Sequence, residues 1–185
     1  MPELPEVETV RRGLQKLLVG RVVKSVTHDW PKGFPNAPAD VERFWIGAKV
    51  TEVKRRAKVL IIDLNTDYSL VVHLKMTGQL VFRGAHDSFG AGHPNNSLIG
   101  ELPDKSTRVV CESADGSRLF FNDQRKFGWI RLLPTVQIAE LDFFKKVGPE
   151  PLSDDFSADI LATRLARRQK SAVKAVLLDQ TVVAG

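Results

Sequence analysis

Apolar residues near the start of the chain fall at Val7, Val10, Leu14, Leu17 and Leu18, steps of three and four that draw one stripe along a helix. Prolines at its start and Gly20 at its end fit the usual asymmetry of helix termini and predict a stop near Gly20. The period then changes to short β-branched runs: RVVKSVTHDW (21–30), KVTEVKRRAKVLIIDL (49–64), YSLVVHLKMTGQLVF (68–82), TRVVCES (107–113), SRLFFND (117–123) and FGWIRLL (127–133). Turn signals such as NTD and ADG separate several of them, a pattern that predicts an antiparallel sandwich or barrel. Between Arg83 and Ser106 a stretch rich in Gly, Pro, Asn and Asp is predicted to be a long connection with little strand character. At KKVGPEPLSDD (145–155) the pattern breaks, marking a domain boundary. Beyond it, Ile160, Leu161 and Leu165 predict one helix, and Val173, Val176, Leu177 and Val183 predict a second that runs into Gly185. That last helix has an apolar face and nothing after it to cover the face, so it reads as half of a motif. The fold class is α+β.

Composition narrows the partners. The 185 residues suit one large domain, or one domain plus part of another. Lys and Arg number 27 against 22 Asp and Glu, a formal charge of +5 with a pI of about 9.5, which favours a polyanionic partner and equally fits a plain solvated surface. Cys111 is the only cysteine, which excludes a disulfide framework or Cys-rich metal site within the sequence, and His28, His73, His86 and His93 show no ligand spacing. No apolar run approaches the roughly 18 residues that span a membrane, and the first residues lack the regions of a signal peptide. A reduced, cytoplasmic setting is the default expectation.

The opening MPELPEVETV carries the most chemistry. Initiator methionine is commonly removed before a small residue such as proline, which would leave a free secondary amine at Pro2. An α-amino group titrates near pH 8, roughly, so an appreciable fraction is nucleophilic at neutral pH. Condensed with an aldehyde, such an amine gives an iminium whose nitrogen has no proton to lose, a strong electron sink for elimination at the neighbouring carbon. Glu3 and Glu6 are one helical turn apart, so both carboxylates can lie on the face of the amine, one as proton donor and the other as support. Proline and glutamate in a first turn are also ordinary capping chemistry that favours the macrodipole. The residues alone leave both readings open.

Longer strings narrow the choice. PELPEVETVRRGL (2–14) resembles the amino terminus of the formamidopyrimidine-DNA glycosylase family, base-excision enzymes that remove oxidised purines and cut the strand. RRAKVLIIDL (55–64), HLKMTGQL (73–80), GHPNNSLIGELPDKSTRV (92–109), FNDQRKFGWI (121–130), VGPEPLSDDF (147–156) and KSAVKAVLLDQTVVAG (170–185) are similar to further segments in the family's order. The resemblance implies that Pro2 attacks C1′ of the damaged nucleotide, that Glu3 shuttles the proton that opens the sugar, and that Glu6 supports the geometry. It places Lys58 on a β-hairpin in contact with phosphate or the reacting sugar. It implies that Met76, Arg125 and Phe127 fill the hole left when a base is turned out of the duplex, and that His93, Arg108 and Lys170 bind DNA. The wedge makes chemical sense by itself: an apolar side chain replaces lost stacking, and a planar donor pairs with the orphaned base. DQRKFG reads as a polar turn, so an exposed Phe127 there calls for a binding explanation. Arg167 and Arg168 with Lys170 form a basic approach whose DNA affinity would be salt-sensitive and largely independent of sequence.

The implied organisation is a catalytic sandwich with its leading helix (1–134), a linker (135–152) and an incomplete helix-two-turn-helix domain (153–185). The implied partner is damaged double-stranded DNA, met by a monomer, with β,δ-elimination following excision. No cofactor is expected within the chain; family members continue past VVAG with a phosphate-binding turn, a second helix and a zinc finger. At DKSTRV many relatives carry histidines where this chain has Ser106 and Arg108, and a histidine role is lost there. Two alternatives stand beside this reading: the sister enzymes that prefer oxidised pyrimidines, and a DNA-binding module without catalysis.

Overall fold

The computed structural model describes residues 1–184; Gly185, into which the last predicted helix runs, lies outside the described residues. Helix α1 spans Leu4–Leu17 and is followed by strands β1 (Val23–His28), β2 (Val50–Arg56), β3 (Val59–Leu64), β4 (Tyr68–His73), β5 (Gly78–Arg83), β6 (Ser88–Gly92), β7 (Thr107–Ser113), β8 (Arg118–Asp123) and β9 (Trp129–Pro134). All pairings are antiparallel, in a five-stranded sheet ordered β1-β7-β8-β5-β6 and a four-stranded sheet ordered β2-β3-β4-β9. The inner faces share one core: Val53, Leu60, Ile62 and Val72 of the smaller sheet meet Leu80, Phe82, Val109 and Phe121 of the larger. The predicted α+β sandwich with a leading helix is therefore the observed architecture.

Helix α1 closes one side of that core. Leu4, Val7, Val10 and Leu14 are buried, and the helix packs against β2 and β6. Fourteen residues are marginal as an isolated helix. Each buried Val or Leu contributes roughly 1.5–3 kcal/mol, so packing holds the helix and thereby the chain's first residues.

Three expectations need correction. The run 68–82 is two strands in different sheets: β4 ends at His73, Lys75 turns with a φ of 52°, and β5 begins at Gly78. Leu74 and Leu80 are both buried, so hydropathy does not register the crossing. Inside the supposed connection lies β6, an edge strand on β5 whose weak sequence (SFGAG) needs few side chains of its own, because Phe89 packs against Gly13 of α1. The last helix is short. After a helix over Ala158–Ala166 (α4, preceded by α2, Pro38–Asp40, and α3, Asp142–Lys146), α5 covers only Val173–Leu177. Val182, Val183 and Ala184 leave the helix and are buried, the valines in a cluster with Val176, while Val173, Leu177 and Leu178 stay exposed.

The segment read as a linker has structure too. A 3-10 turn over Thr135–Glu140 and α3 cover the outer face of the smaller sheet, where Val59, Ile61 and Val71 pack with Ile138, Phe143 and Phe144. This explains the near-continuous apolar run VLIIDL: its strand is buried on both faces. Next, Glu150 accepts from Arg55 (Nη2 to Oε1, 2.7 Å) and from the Ala57 amide (3.0 Å), while Arg55 Nε also reaches Glu8 of α1 (2.9 Å). Burial works against the charge of Arg55, but the bonds to Glu150 and Glu8 outweigh it and push its pKa up.

Candidate active site

Sheet register brings the predicted residues to one end of the sandwich. Val59 pairs with His73 and His73 with Trp129, so the β2–β3 turn, the β4–β5 turn and the turn before β9 are neighbours. The first carries Lys58, the second Met76, the third Arg125 and Phe127. Helix α1 delivers the fourth group, because Lys58 is 3% exposed and its ammonium is ion-paired with the Glu3 carboxylate. Pro2, next in the chain to Glu3, is buried. Glu6 Oε2 accepts from the Glu3 amide (2.9 Å), a backward cap that holds the Glu3 backbone at the helix start. The capping and the chemical readings of the decapeptide are thus compatible: capping fixes the direction in which Pro2 and Glu3 are presented.

The turn over residues 124–128 is rigid, and a carboxylate outside the predicted set makes it so. Asp123, 1% exposed, accepts from the amides of Arg125 (3.2 Å) and Gly128 (2.6 Å) and from the Thr77 hydroxyl, which itself accepts from Arg125 N (3.0 Å). Thr77 follows Met76, so this bond couples the two turns that carry Met76, Arg125 and Phe127. Gly128 allows the contact: a Cβ there would lie 2.7 Å from the Phe121 ring and 3.0 Å from the His73 carbonyl. On this platform Phe127 is 53% exposed and the Arg125 guanidinium stacks 4.9 Å from its ring centroid. An exposed aromatic stiffened from beneath is what insertion into a base stack requires. Asp123→Asn should cost about 2 kcal/mol, since an amide nitrogen cannot accept from Gly128 N. Thermal unfolding should show it as a melting temperature lowered by about 4–8 °C.

His73 is a second residue the sequence did not single out. Burial, with repulsion from Lys75 and Lys58, pushes its pKa from 6.5 down to about 3, so the ring is neutral. Its Nδ1 accepts from Lys75 N (3.1 Å), which places the proton on Nε2. A neutral N–H donor therefore stands beside the Lys58 turn. The folded pKa lies below the free value, so the stabilisation is complete above pH 6.5 and is lost as pH falls toward 3. Unfolding titrations between pH 7 and 4 should show stability falling by up to about 1.4 kcal/mol per pH unit, and His73→Gln should flatten that slope.

The remaining predicted residues are placed unequally. The backbone of His93 pairs with the start of β5, donating to Gly78 O (3.0 Å), so His93 joins the same end half-buried. Arg108 turns inward: it is 7% exposed and donates to Asp29 Oδ2 (2.7 Å), Asp123 O (3.0 Å) and Lys105 O. Each of its three nitrogens thus donates to protein, and the bond to Asp123 O braces the 124–128 turn. Lys170 is exposed in the turn between α4 and α5, and the register that unites the others does not include it. Zinc, which the resemblance assigns to later sequence, finds no donor set here: among the described residues no three His, Cys, Asp or Glu side chains are grouped to hold a metal ion.

Comparison with known proteins addresses the same residues. The formamidopyrimidine-DNA glycosylase N-terminal domain matches residues 1–130. Curated formamidopyrimidine-DNA glycosylases of Cereibacter sphaeroides and Paracoccus denitrificans are 40% and 42% identical, each aligned over 100% of this chain and 63% of its own length. The crystal structure of the Lactococcus lactis enzyme bound non-covalently to DNA containing an AP site superposes with a TM-score of 0.79 at 31% identity, over 100% of this chain and 65% of that one. The chain thus spans a little under two thirds of the relatives it matches. With the domain match running from Met1 through the Lys58 hairpin and the Phe127 turn, the chain belongs to the formamidopyrimidine-DNA glycosylase family.

Proposed function

We propose that this chain excises oxidised purines such as 8-oxoguanine and formamidopyrimidines from duplex DNA, acting through Pro2 as a covalent nucleophile. The observation that carries the reading is the ion pair of buried Lys58 with half-buried Glu3 beside Pro2, at the same end as the exposed Arg125–Phe127 stack. Removal of Met1 frees the Pro2 amine. Its nitrogen lone pair attacks C1′ as the bond to the damaged base breaks, and the base leaves with a proton. Glu3 donates a proton to the ring oxygen as the sugar opens, giving an iminium at C1′. Loss of a C2′ proton then expels the 3′ phosphate, and a second elimination expels the 5′ phosphate. Lys58, already in contact with the Glu3 carboxylate, holds that side chain in place and offers positive charge to a neighbouring phosphate. His73 offers a neutral N–H donor at the same end. The Arg125–Phe127 stack fills the space left by the extruded nucleotide. Residues 153–184, with Arg167, Arg168 and Lys170 exposed, extend the grip on phosphates beyond the sandwich.

Borohydride trapping tests the reading. The chain without Met1, mixed with duplexes carrying an abasic site or 8-oxoguanine and then reduced, should give a covalent protein–DNA adduct. A duplex carrying an oxidised pyrimidine should give less. DNA binding without any adduct would leave a binding module and sink the Pro2 mechanism.

A further inference from the structure

The 124–128 turn touches a second aromatic residue, Trp30, to which the chemistry above gives no task. Trp30 is half-buried and leads into a single 3-10 turn, Pro31–Gly33. Two exposed lysines from different parts of the chain converge on its indole: the Lys126 ammonium stands 4.6 Å from the ring centroid and that of Lys32 5.9 Å. Lys126 belongs to the wedge turn itself, between Arg125 and Phe127, and has a φ of 59°.

The two segments are fastened together. Asn36 donates to Ile130 O (3.0 Å) and accepts from Leu132 N (2.8 Å), so the loop after Trp30 lies along the edge strand β9. Gly33 completes the contact: a Cβ there would lie 2.8 Å from Trp30 Cδ1 and 2.9 Å from the Gly128 carbonyl. Fixed backbones thus hold two like charges on one ring, and among the described residues neither lysine has an ion-pair partner. Cation–π attraction offsets part of their repulsion, and an anion on the exposed side would offset the rest. With the ring taken up by ammonium groups, a stacked base is a poorer fit than phosphate. Arg125, next in the chain to Lys126, is the group that meets the base opposite the lesion under the function proposed above, and so gives the direction of the strand.

We propose that Lys32 and Lys126, spaced on Trp30, bind two neighbouring phosphates of the undamaged strand; this rests on the DNA reading of the Arg125–Phe127 turn. Fluorescence anisotropy of the full chain with a labelled duplex containing a tetrahydrofuran abasic analogue, between 50 and 200 mM salt, tests it. Each phosphate contact contributes about 0.9 to the slope of log affinity against log salt, so K32Q/K126Q should lower that slope by about 2. The affinity lost across the range should shrink by about tenfold. Methylphosphonates placed in pairs along the undamaged strand should weaken wild type at one pair of positions and leave K32Q/K126Q insensitive there. An unchanged slope, or sensitivity confined to the damaged strand, overturns the proposal while the trapped Pro2 adduct still stands. Failure of wild type to bind either duplex overturns both.

Discussion

A chain that keeps Met1, for instance behind a short N-terminal extension, should give no borohydride-trapped adduct with an abasic duplex, whereas the chain beginning at Pro2 gives one. The reason is electronic. An acylated Pro2 nitrogen is a tertiary amide: its lone pair is delocalised into the carbonyl and it can form no iminium. The loss should therefore be complete and not graded. Binding should change little, because α1 is held by Leu4, Val7, Val10 and Leu14 and not by Met1, which is exposed. The pair of measurements separates chemistry from affinity. Equal adduct yield from the extended chain would place the nucleophile elsewhere, with Lys58 the first amine to examine. Pro2→Gly supplies a graded comparison, since a primary amine still condenses with an aldehyde but leaves an imine that can lose its proton.

Arg55→Met should be the most destabilising of the substitutions considered, costing about 3–5 kcal/mol, because it removes one partner from a largely buried charge cluster and leaves the others facing each other. The Arg55 side chain is 5% exposed and lies between Glu8 of α1 and Glu150, which leads to the helical segment. Without it, two carboxylates remain partly buried with fewer donors, and the Ala57 carbonyl loses its bond from Nη1 (2.8 Å). For a chain of this length the melting temperature should drop by about 10 °C. Arg12, 70% exposed and bound to the same Glu8, is the internal control: Arg12→Met should cost under about 1 kcal/mol. Burial acts against ionisation of Glu8, but hydrogen bonds from Arg11, Arg12 and Arg55 outweigh it and hold its pKa at about 2. Its contribution is therefore present above about pH 4.5 and lost as pH falls toward 2, and Arg55→Met should move that loss to higher pH. Similar melting temperatures for the Arg55 and Arg12 variants would show that the cluster contributes no more than surface pairs do.

Local patterning determined a good deal of this protein. The three- and four-residue spacing of Val7, Val10 and Leu14 and the β-branched runs are consequences of which backbone periods bury apolar atoms, and both survive in the structure as α1 and a two-sheet sandwich. The order of the family strings along the chain carried Pro2, Glu3, Lys58, Met76, Arg125 and Phe127 as residue types with matched chemistry. Sequence spacing does not contain the register Val59–His73–Trp129 that makes three separate turns neighbours, nor the burial that pairs Lys58 with Glu3. It could not reveal Asp123, an ordinary turn aspartate until two backbone amides and Thr77 close on it, or the inward turn of Arg108, whose charge is read the same whether it faces solvent or Asp29. Short apolar stretches such as SFGAG and VVA gain their structure from what they pack against, and so give no periodic signal. Periodicity and residue chemistry are properties of neighbours along the chain. The candidate site joins groups as far apart in sequence as Glu3, Lys58 and Phe127, and only the closing of the two sheets over one core decides that they share an end.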